Sequence, residues 1–379
     1  MKKTISRNPR PRIAWIEVIR TLSGGAQIYK AAYSAMLPFE ARLSTLFDIT
    51  FFRSSPIFRY LGYIQSFPRR FQLSLRSAFF FLLHHYDLLV TVDIPNVEGL
   101  VPFVLAKLMR KPVLLKETHW YWHNSVKARL LWPINLWLVQ SANMVIVPGK
   151  RVEKYWKQAG VNPSKLEVVP FYSSTLETTD RTTLLTEDLR KKFTNKTAII
   201  FVGRLIKTKG AEYLIEAFAK VKNGFPNTVL LIVGDGPEKH NLEKVVKSLS
   251  LDDVVFVGTV SEKDKAAYFM VADICVFPSV WEEWGMVLTE AMSVGKPVVV
   301  TSTFGSALDA VQDGVNGYIV PERDSESLYK AIRKLVENAD LRRSMGKKSK
   351  EISMRFSYDF AARKMIRAIE FVLQNRALD

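Results

Sequence analysis

Two carboxylates, Glu282 and Glu290, flank Trp284-Gly285-Met286-Val287, where an apolar run ending at Phe277-Pro278 gives way to a helical pattern. A helix start offers unpaired backbone N–H groups and a partial positive charge, so the amides around Gly285, Met286 and Val287 suit a phosphate. A carboxylate beside a phosphate would repel it unless it faced hydroxyls instead, and a neutral diol can donate two hydrogen bonds to one carboxylate. A sugar nucleotide has both parts, a diphosphate flanked by a ribose diol and a hexose. The spacing therefore reads as a nucleotide-sugar pocket. The plain alternative is a strand and helix whose acids only cap or face water.

Other segments have matching chemistry. Phe201-Val202-Gly203-Arg204-Leu205-Ile206-Lys207-Thr208-Lys209-Gly210 follows a buried-strand pattern directly. Gly203 permits close backbone approach, and Arg204 and Lys209 supply fixed cations that can neutralise a leaving diphosphate without a metal. A solvated basic turn is the competing reading, since Lys207 shows that not every cation here needs a role. Val233-Gly234-Asp235-Gly236-Pro237 is a strand end with a Gly-rich turn, in which Asp235 either lines a site or closes the turn. Ser23-Gly24-Gly25-Ala26 is a second glycine loop, and His119 and His123 lie in a Trp- and Tyr-rich stretch after an apolar run. A lone His is equally a packing residue.

Glu282, Trp284-Gly285 and Glu290-Ala291-Met292 resemble the E-x7-E motif of retaining glycosyltransferases with the GT-B fold, glycosyltransferase family 4 or glycosyl transferases group 1. The resemblance is strong over residues 198–322, moderate through the final helix and weak before residue 110. It implies an α/β chain of two Rossmann-like domains facing a central cleft. It further implies that Glu282 binds a hydroxyl of the transferred sugar, Glu290 the ribose hydroxyls, and Arg204 and Lys209 the diphosphate. Gly203, Gly285, Met286 and Val287 lie beside that diphosphate; Gly234, Asp235, Thr259 and Val260 match the wall around the base. Gly24 and Gly25 match the N-terminal loop facing the diphosphate and acceptor, and His119 matches a His that contacts the transferred sugar, with His123 as its rival. The chain departs from the pattern at Pro170-Phe171-Tyr172-Ser173, where the family often has Asn-Gly-Val-Asp.

The activity so implied is retaining, metal-independent transfer of a hexose-type sugar from a UDP- or GDP-sugar to a glycan or polyprenyl-diphosphate-linked acceptor, in cell-surface glycan synthesis. No cofactor or metal is expected; the sequence has no Asp-x-Asp pair and no His/Cys cluster at zinc spacing. Two other classes stay open: another GT-B enzyme, such as a sugar-nucleotide epimerase or phosphorylase, and a non-catalytic basic protein that binds membrane or nucleic acid. The complete Arg204, Lys209, Glu282 and Glu290 set argues against the last, and nucleic acid is not the expected partner.

The elements that must position these residues alternate between strand and helix. Residues 198–202, 228–233, 254–257, 274–277 and 298–300 are short apolar runs, with a helical face at Tyr213, Leu214, Ala217, Phe218 and Val221. Residues 13–18, 87–92, 112–115 and 144–147 repeat the pattern earlier. Such alternation predicts parallel sheets covered by helices, with ligands at the carboxyl ends of the strands. At 379 residues the chain accommodates two domains. The expected division is an acceptor-side domain over 1–172, joined by a helix over 358–379, and a nucleotide-sugar domain over 173–357.

Of the formal charge of +17, nearly all sits in the first 170 residues, with 24 Lys and Arg against 9 Asp and Glu. Such a field calls for an acidic partner. Residues 49–86 contain no acid, and Arg53, Arg59, Arg69, Arg70 and Arg76 alternate with Phe51, Phe52, Phe58, Tyr60, Tyr63, Phe67 and Phe71. Much of the apolar material here is expected in the core, as at Phe79 to Leu83, and the plain alternative is packing alone; a basic, aromatic loop nevertheless suits an anionic membrane surface. Residues 130–149 contain Pro133, Asn135, Gln140, Ser141 and Asn143 and predict a soluble helix and strand rather than a span. The apolar block after the basic start is too short for a signal peptide, so the expected location is the cytoplasm, peripheral on the inner membrane leaflet. The single cysteine, Cys275, falls in an apolar run and is expected to be a buried structural thiol.

Overall fold

The computed structural model describes residues 11–17, 43, 48–53, 86–92, 97–118, 126–172 and 180–375. The chain divides into two compact units, Met1–Pro170 with Tyr358–Asp379, and Phe171–Ser357.

The first unit carries the strands β1 (Arg12–Glu17), β2 (Asp48–Arg53), β3 (Leu88–Val92), β4 (Val113–Lys116), β5 (Met144–Val147) and β6 (Leu166–Val168). They form one parallel sheet in the order β2-β1-β3-β4-β5-β6. Between the later strands run α1 (Val97–Leu108), α2 (Val126–Ser141) and α3 (Lys150–Gln158). Leu89, Val113, Leu115 and Val145 pack with Phe103, Leu138 and Trp156 from those helices, and Trp132 stacks on Trp156 with ring centroids 5.7 Å apart. Strand β2 takes Phe51, Phe52 and Arg53 out of the expected basic, aromatic loop, because they pair in register with Trp15, Ile16 and Glu17. The rest of that stretch up to residue 85 lies outside the described residues.

The second unit continues with α4 (Asp180–Lys192), β7 (Thr197–Val202), α5 (Ala211–Gly224), β8 (Thr228–Val233), α6 (Lys239–Ser248), β9 (Val254–Gly258) and α7 (Glu262–Val271). Then follow β10 (Ile274–Phe277), α8 (Met286–Ser293), β11 (Val298–Thr301), α9 (Ala307–Ala310), β12 (Gly317–Val320), α10 (Ser325–Glu337) and α11 (Ala339–Ser353). The final helix α12 (Tyr358–Asn375) belongs to the first unit.

Strands buried on both faces need apolar side chains at nearly every position, which is why β8 after Thr228 and all of β10 are apolar runs. Alternate residues serve opposite cores. Ile200, Val202, Leu231, Val233, Cys275 and Phe277 face one cluster, while Ile199, Phe201, Leu230, Ile232, Ile274 and Val276 face the other. Local caps set the helix starts: the Ser261, Asp324 and Asn338 side chains accept the N–H groups of Asp264, Ser327 and Leu341. The sheet order is β12-β11-β10-β7-β8-β9, so the chain builds outward from β7 to β9 and then restarts on the other side of β7. That reversal between β7 and β10 is a topological switch point, where open α/β sheets bind ligands.

Candidate functional site

The switch point brings together the exits of β7, β8 and β10. Backbone hydrogen bonds lock the first two: Gly203 N–H donates to the Val233 carbonyl at 3.0 Å and Leu205 N–H to that of Asp235 at 2.9 Å. The neighbouring β9 exit joins through Gly234 N–H, which donates to the Gly258 carbonyl at 2.9 Å. Across the switch point Trp281 N–H donates to the Thr208 carbonyl at 3.2 Å. Gly210 makes that approach possible. Its φ is +63°, and a Cβ there would lie 2.2 Å from the Pro278 carbonyl oxygen.

Lys209 and Glu282, 73 residues apart, consequently meet as an ion pair at this junction. The sequence reading assigned one to a diphosphate and the other to a sugar hydroxyl; they are each other's partner first. Arg204 is exposed, and among the described residues its guanidinium has no hydrogen-bond or ion-pair partner. It is a free cation beside a paired one.

Gly285, with φ +81°, caps α8 without any side-chain hydrogen bond. A Cβ there would sit 2.1 Å from the buried Phe304 ring, so the turn is built on glycine. The helix N-terminus at Met286 and Val287 therefore starts on the exit of β10, with Met286 exposed and Val287 half-buried. Thr259 is exposed and Val260 half-buried just past β9. Asp235 is exposed, and its Oδ1 accepts the Gly236 N–H at 2.7 Å, closing its own turn.

Glu290 is 7% exposed, one turn into α8. Lys265 Nζ of α7 lies 2.8 Å from its Oε2, at an angle that pairs the charges without an aligned hydrogen bond, while donating to Glu262 Oε2 at 2.7 Å. Burial pushes the Glu290 carboxyl above the usual carboxylate range, and Lys265 opposes that push. Burial alone would lower Lys265, but Glu290 and Glu262 outweigh it and hold the ammonium above its ordinary value. Glu290 is thus a buried carboxylate whose charge is balanced by Lys265 and which keeps further acceptor capacity. A group that arrives with hydroxyls would satisfy it.

Sequence reasoning missed Lys265. Its signal is confined to a charged run, Ser261-Glu262-Lys263-Asp264-Lys265, that resembles any solvated helix start. Gly24, Gly25, His119 and His123 lie outside the described residues. Among the described residues no group of three or more His, Cys, Asp or Glu is gathered that could hold a metal ion. Cys275 is fully buried, and burial pushes its thiol up to about 12, so it is packing material.

Residues 186–352 match the protein family described as Glycosyl transferases group 1. Over that span the chain is similar to glycosyltransferases. Arg204, Lys209, Lys265, Glu282 and Glu290 all fall inside that span. An uncharacterised glycosyltransferase of Methanocaldococcus jannaschii is 32% identical over 178 residues, 46% of this chain and 45% of that protein. The alpha-monoglucosyldiacylglycerol synthase of Acholeplasma laidlawii is 28% identical over 233 residues, 59% of this chain and 57% of that one. The chain spans about half the length of these curated relatives. Among solved structures, Anabaena HepE in complex with UDP superposes with a TM-score of 0.71 at 20% identity, covering 95% of this chain and 99% of HepE. The fold is the GT-B fold of such glycosyltransferases, with its two parallel α/β sheets.

Proposed function

We propose that this protein is a retaining, metal-independent glycosyltransferase that moves a hexose-type sugar from a UDP- or GDP-sugar to a glycan or polyprenyl-diphosphate-linked acceptor. The observation that carries the reading is the gathering, at one switch point, of a free Arg204, the Lys209–Glu282 pair, an uncapped helix start at Gly285 and a buried Glu290 paired with Lys265. HepE, solved with UDP and with UDP-glucose, supports the donor class. The Acholeplasma synthase, whose name specifies a glycolipid, supports a lipid-borne acceptor.

In this mechanism the ribose hydroxyls donate to Glu290, and the diphosphate lies between Arg204, Lys209 and the N–H groups of Met286 and Val287. As the sugar–phosphate bond breaks, negative charge grows on the departing phosphate, and cations already fixed by the fold stabilise it without reorganising. Lys209 holds Glu282 in place through their ion pair, ready to accept from a hydroxyl of the transferred sugar. Retention is assigned to attack on the face the phosphate leaves, with that phosphate taking the acceptor's proton, so Glu282 binds the donor and is not a general base. By the family resemblance, the roles left to Gly24 and Gly25 are toward the diphosphate and acceptor, and that of His119, or its rival His123, toward the transferred sugar. The role belongs to cell-surface glycan synthesis on the cytoplasmic side of an anionic membrane, with no cofactor taking part.

Incubation with a panel of UDP- and GDP-sugars and glycan or lipid-linked acceptors, with and without EDTA, tests the reading. Acceptor-dependent release of nucleoside diphosphate, unaffected by EDTA and giving a product with the donor's anomeric configuration, is expected. Donor turnover without an acceptor would point instead to an epimerase or hydrolase, and inverted product would refute retention.

A further inference from the structure

Helix α2 presents Leu130, Ile134, Trp137 and Ser141 within about 60° of one another on a helix of 3.6 residues per turn. Leu130 is 73% exposed and Trp137 55%, with Ile134 exposed between them. Helices of a folded core bury such a stripe. Here the buried face is a different one, carrying Leu138 and Val139. The stripe runs out at Ser141 into a cavity of about 360 Å³, whose lining includes Lys107, Asn143, Lys165, Phe371 and Asn375. Leu108, beside Lys107 at the end of α1, is 75% exposed, and Phe371 of α12 is also exposed.

The cavity is positive. Lys107 Nζ donates to Asn143 Oδ1 at 3.3 Å, and Lys165 Nζ donates to the carbonyls of Gln140 and Ala142 at 2.7 and 3.1 Å. No carboxylate among the described residues pairs with either lysine. Burial and the neighbouring Lys165 push the Lys107 ammonium below its ordinary value, as expected for two cations sharing a pocket without an anion. Around them, residues 97–170 hold 11 Lys and Arg against 4 Asp and Glu. Asn143 and Lys165 immediately precede β5 and β6, so the cavity opens at the amino ends of the strands, away from the ends where such sheets bind substrates.

We propose that this face docks the protein on an anionic bilayer, with Leu130, Ile134, Trp137 and Leu108 at headgroup depth and a lipid headgroup phosphate in the Lys107–Lys165 cavity. Charge decides the occupant. A second copy of this chain would bring the same positive field against itself, and an acidic soluble partner would not need exposed leucines and a tryptophan. A bilayer with anionic lipid matches the cations and the apolar stripe together, with Trp suited to the interface. The inference rests on the membrane reading under the proposed function and moves it from residues 49–86 to named side chains on α1, α2 and α12. Because the cavity is at the amino ends of the strands, docking here leaves their carboxyl ends available to substrate.

The test is co-sedimentation of the full chain with vesicles of pure phosphatidylcholine or of phosphatidylcholine with phosphatidylglycerol, at low and high salt. The wild type should bind only the anionic vesicles and release at high salt. Leu130→Ser with Trp137→Ser, and separately Lys107→Glu, should each weaken binding about tenfold or more. UDP affinity and thermal midpoint serve as controls that must not move. Wild-type binding in both variants overturns this surface, and if Arg69→Glu with Arg70→Glu then abolishes binding, the membrane reading survives through the other segment. No vesicle binding by the wild type overturns both. A dimer in sedimentation velocity that Leu130→Ser with Trp137→Ser dissociates would reassign the stripe to self-association and overturn it as well.

Discussion

Replacing Lys265 by Met keeps the length and most of the volume of the side chain but removes the cation that pairs with Glu290 among the described residues. The carboxylate is then 7% exposed with no opposite charge. Breaking a buried ion pair by removing one partner typically costs about 3–5 kcal/mol, the cost of stranding the other charge. Glu290 escapes part of that penalty by taking up a proton, since burial already holds its carboxyl above the usual range and Lys265 no longer opposes it. For an acid whose folded pKa exceeds its unfolded one, the folded state binds more protons, so stability rises as pH falls, by about 1.4 kcal/mol per pH unit between the two values. The variant's deficit against wild type should therefore be greatest at neutral and alkaline pH and shrink toward pH 5. Affinity for UDP should move the opposite way, because only the ionised carboxylate accepts from two ribose hydroxyls. Urea unfolding and UDP titration of Lys265→Met and wild type between about pH 5 and 8.5 measure both trends. Stability and affinity that decline together on acidification, or a variant indistinguishable from wild type at pH 8, would refute the assignment of Lys265 as the counter-ion of Glu290.

Arg204→Ala and Lys209→Ala should each reduce turnover by about two orders of magnitude, the scale for losing one preorganised charge contact. Lys209→Ala should additionally weaken donor binding, because Glu282 loses its partner, and a steady-state kinetic split of kcat from KM separates the two. Gly210→Ala and Gly285→Ala should each lower the thermal midpoint by several degrees, since both combine positive φ with a Cβ closer than 2.5 Å to a fixed neighbour. Gly314→Ala is the control: it also has positive φ, but nothing lies within 4 Å of its Cβ, and its loss should be smaller.

The second unit was legible because a parallel sheet covered on both faces writes each strand as an apolar run. Val298-Val299-Val300 and the stretch around Cys275 could be read without knowing their neighbours. Strand β2 was not, since it is an edge strand bounded by Asp48 and Arg53 and embedded in an aromatic, basic stretch. Strand β12 escaped for a related reason, being four residues at an edge of the second unit's sheet. Site residues on strand exits announced themselves through glycine and charge, as at Gly203-Arg204 and Gly285. The pairings did not: Lys209 with Glu282 and Lys265 with Glu290 join distant elements, and no periodicity records a contact across a switch point. Leu130, Ile134 and Trp137 show the converse, where helical spacing of apolar residues reads as core and the fold leaves them outside.

Glu290, at the switch point, is assigned to the ribose of a nucleotide donor. Isothermal titration of wild type and Glu290→Ala with UDP and GDP tests it most directly. Saturable binding of one nucleotide by wild type is predicted, weakened in the variant by about 1.5–3 kcal/mol for each charge-assisted hydrogen bond lost. Equal affinity of the two proteins for both nucleotides would remove Glu290 from the donor site, and no binding by wild type would contradict the assignment of the switch point altogether.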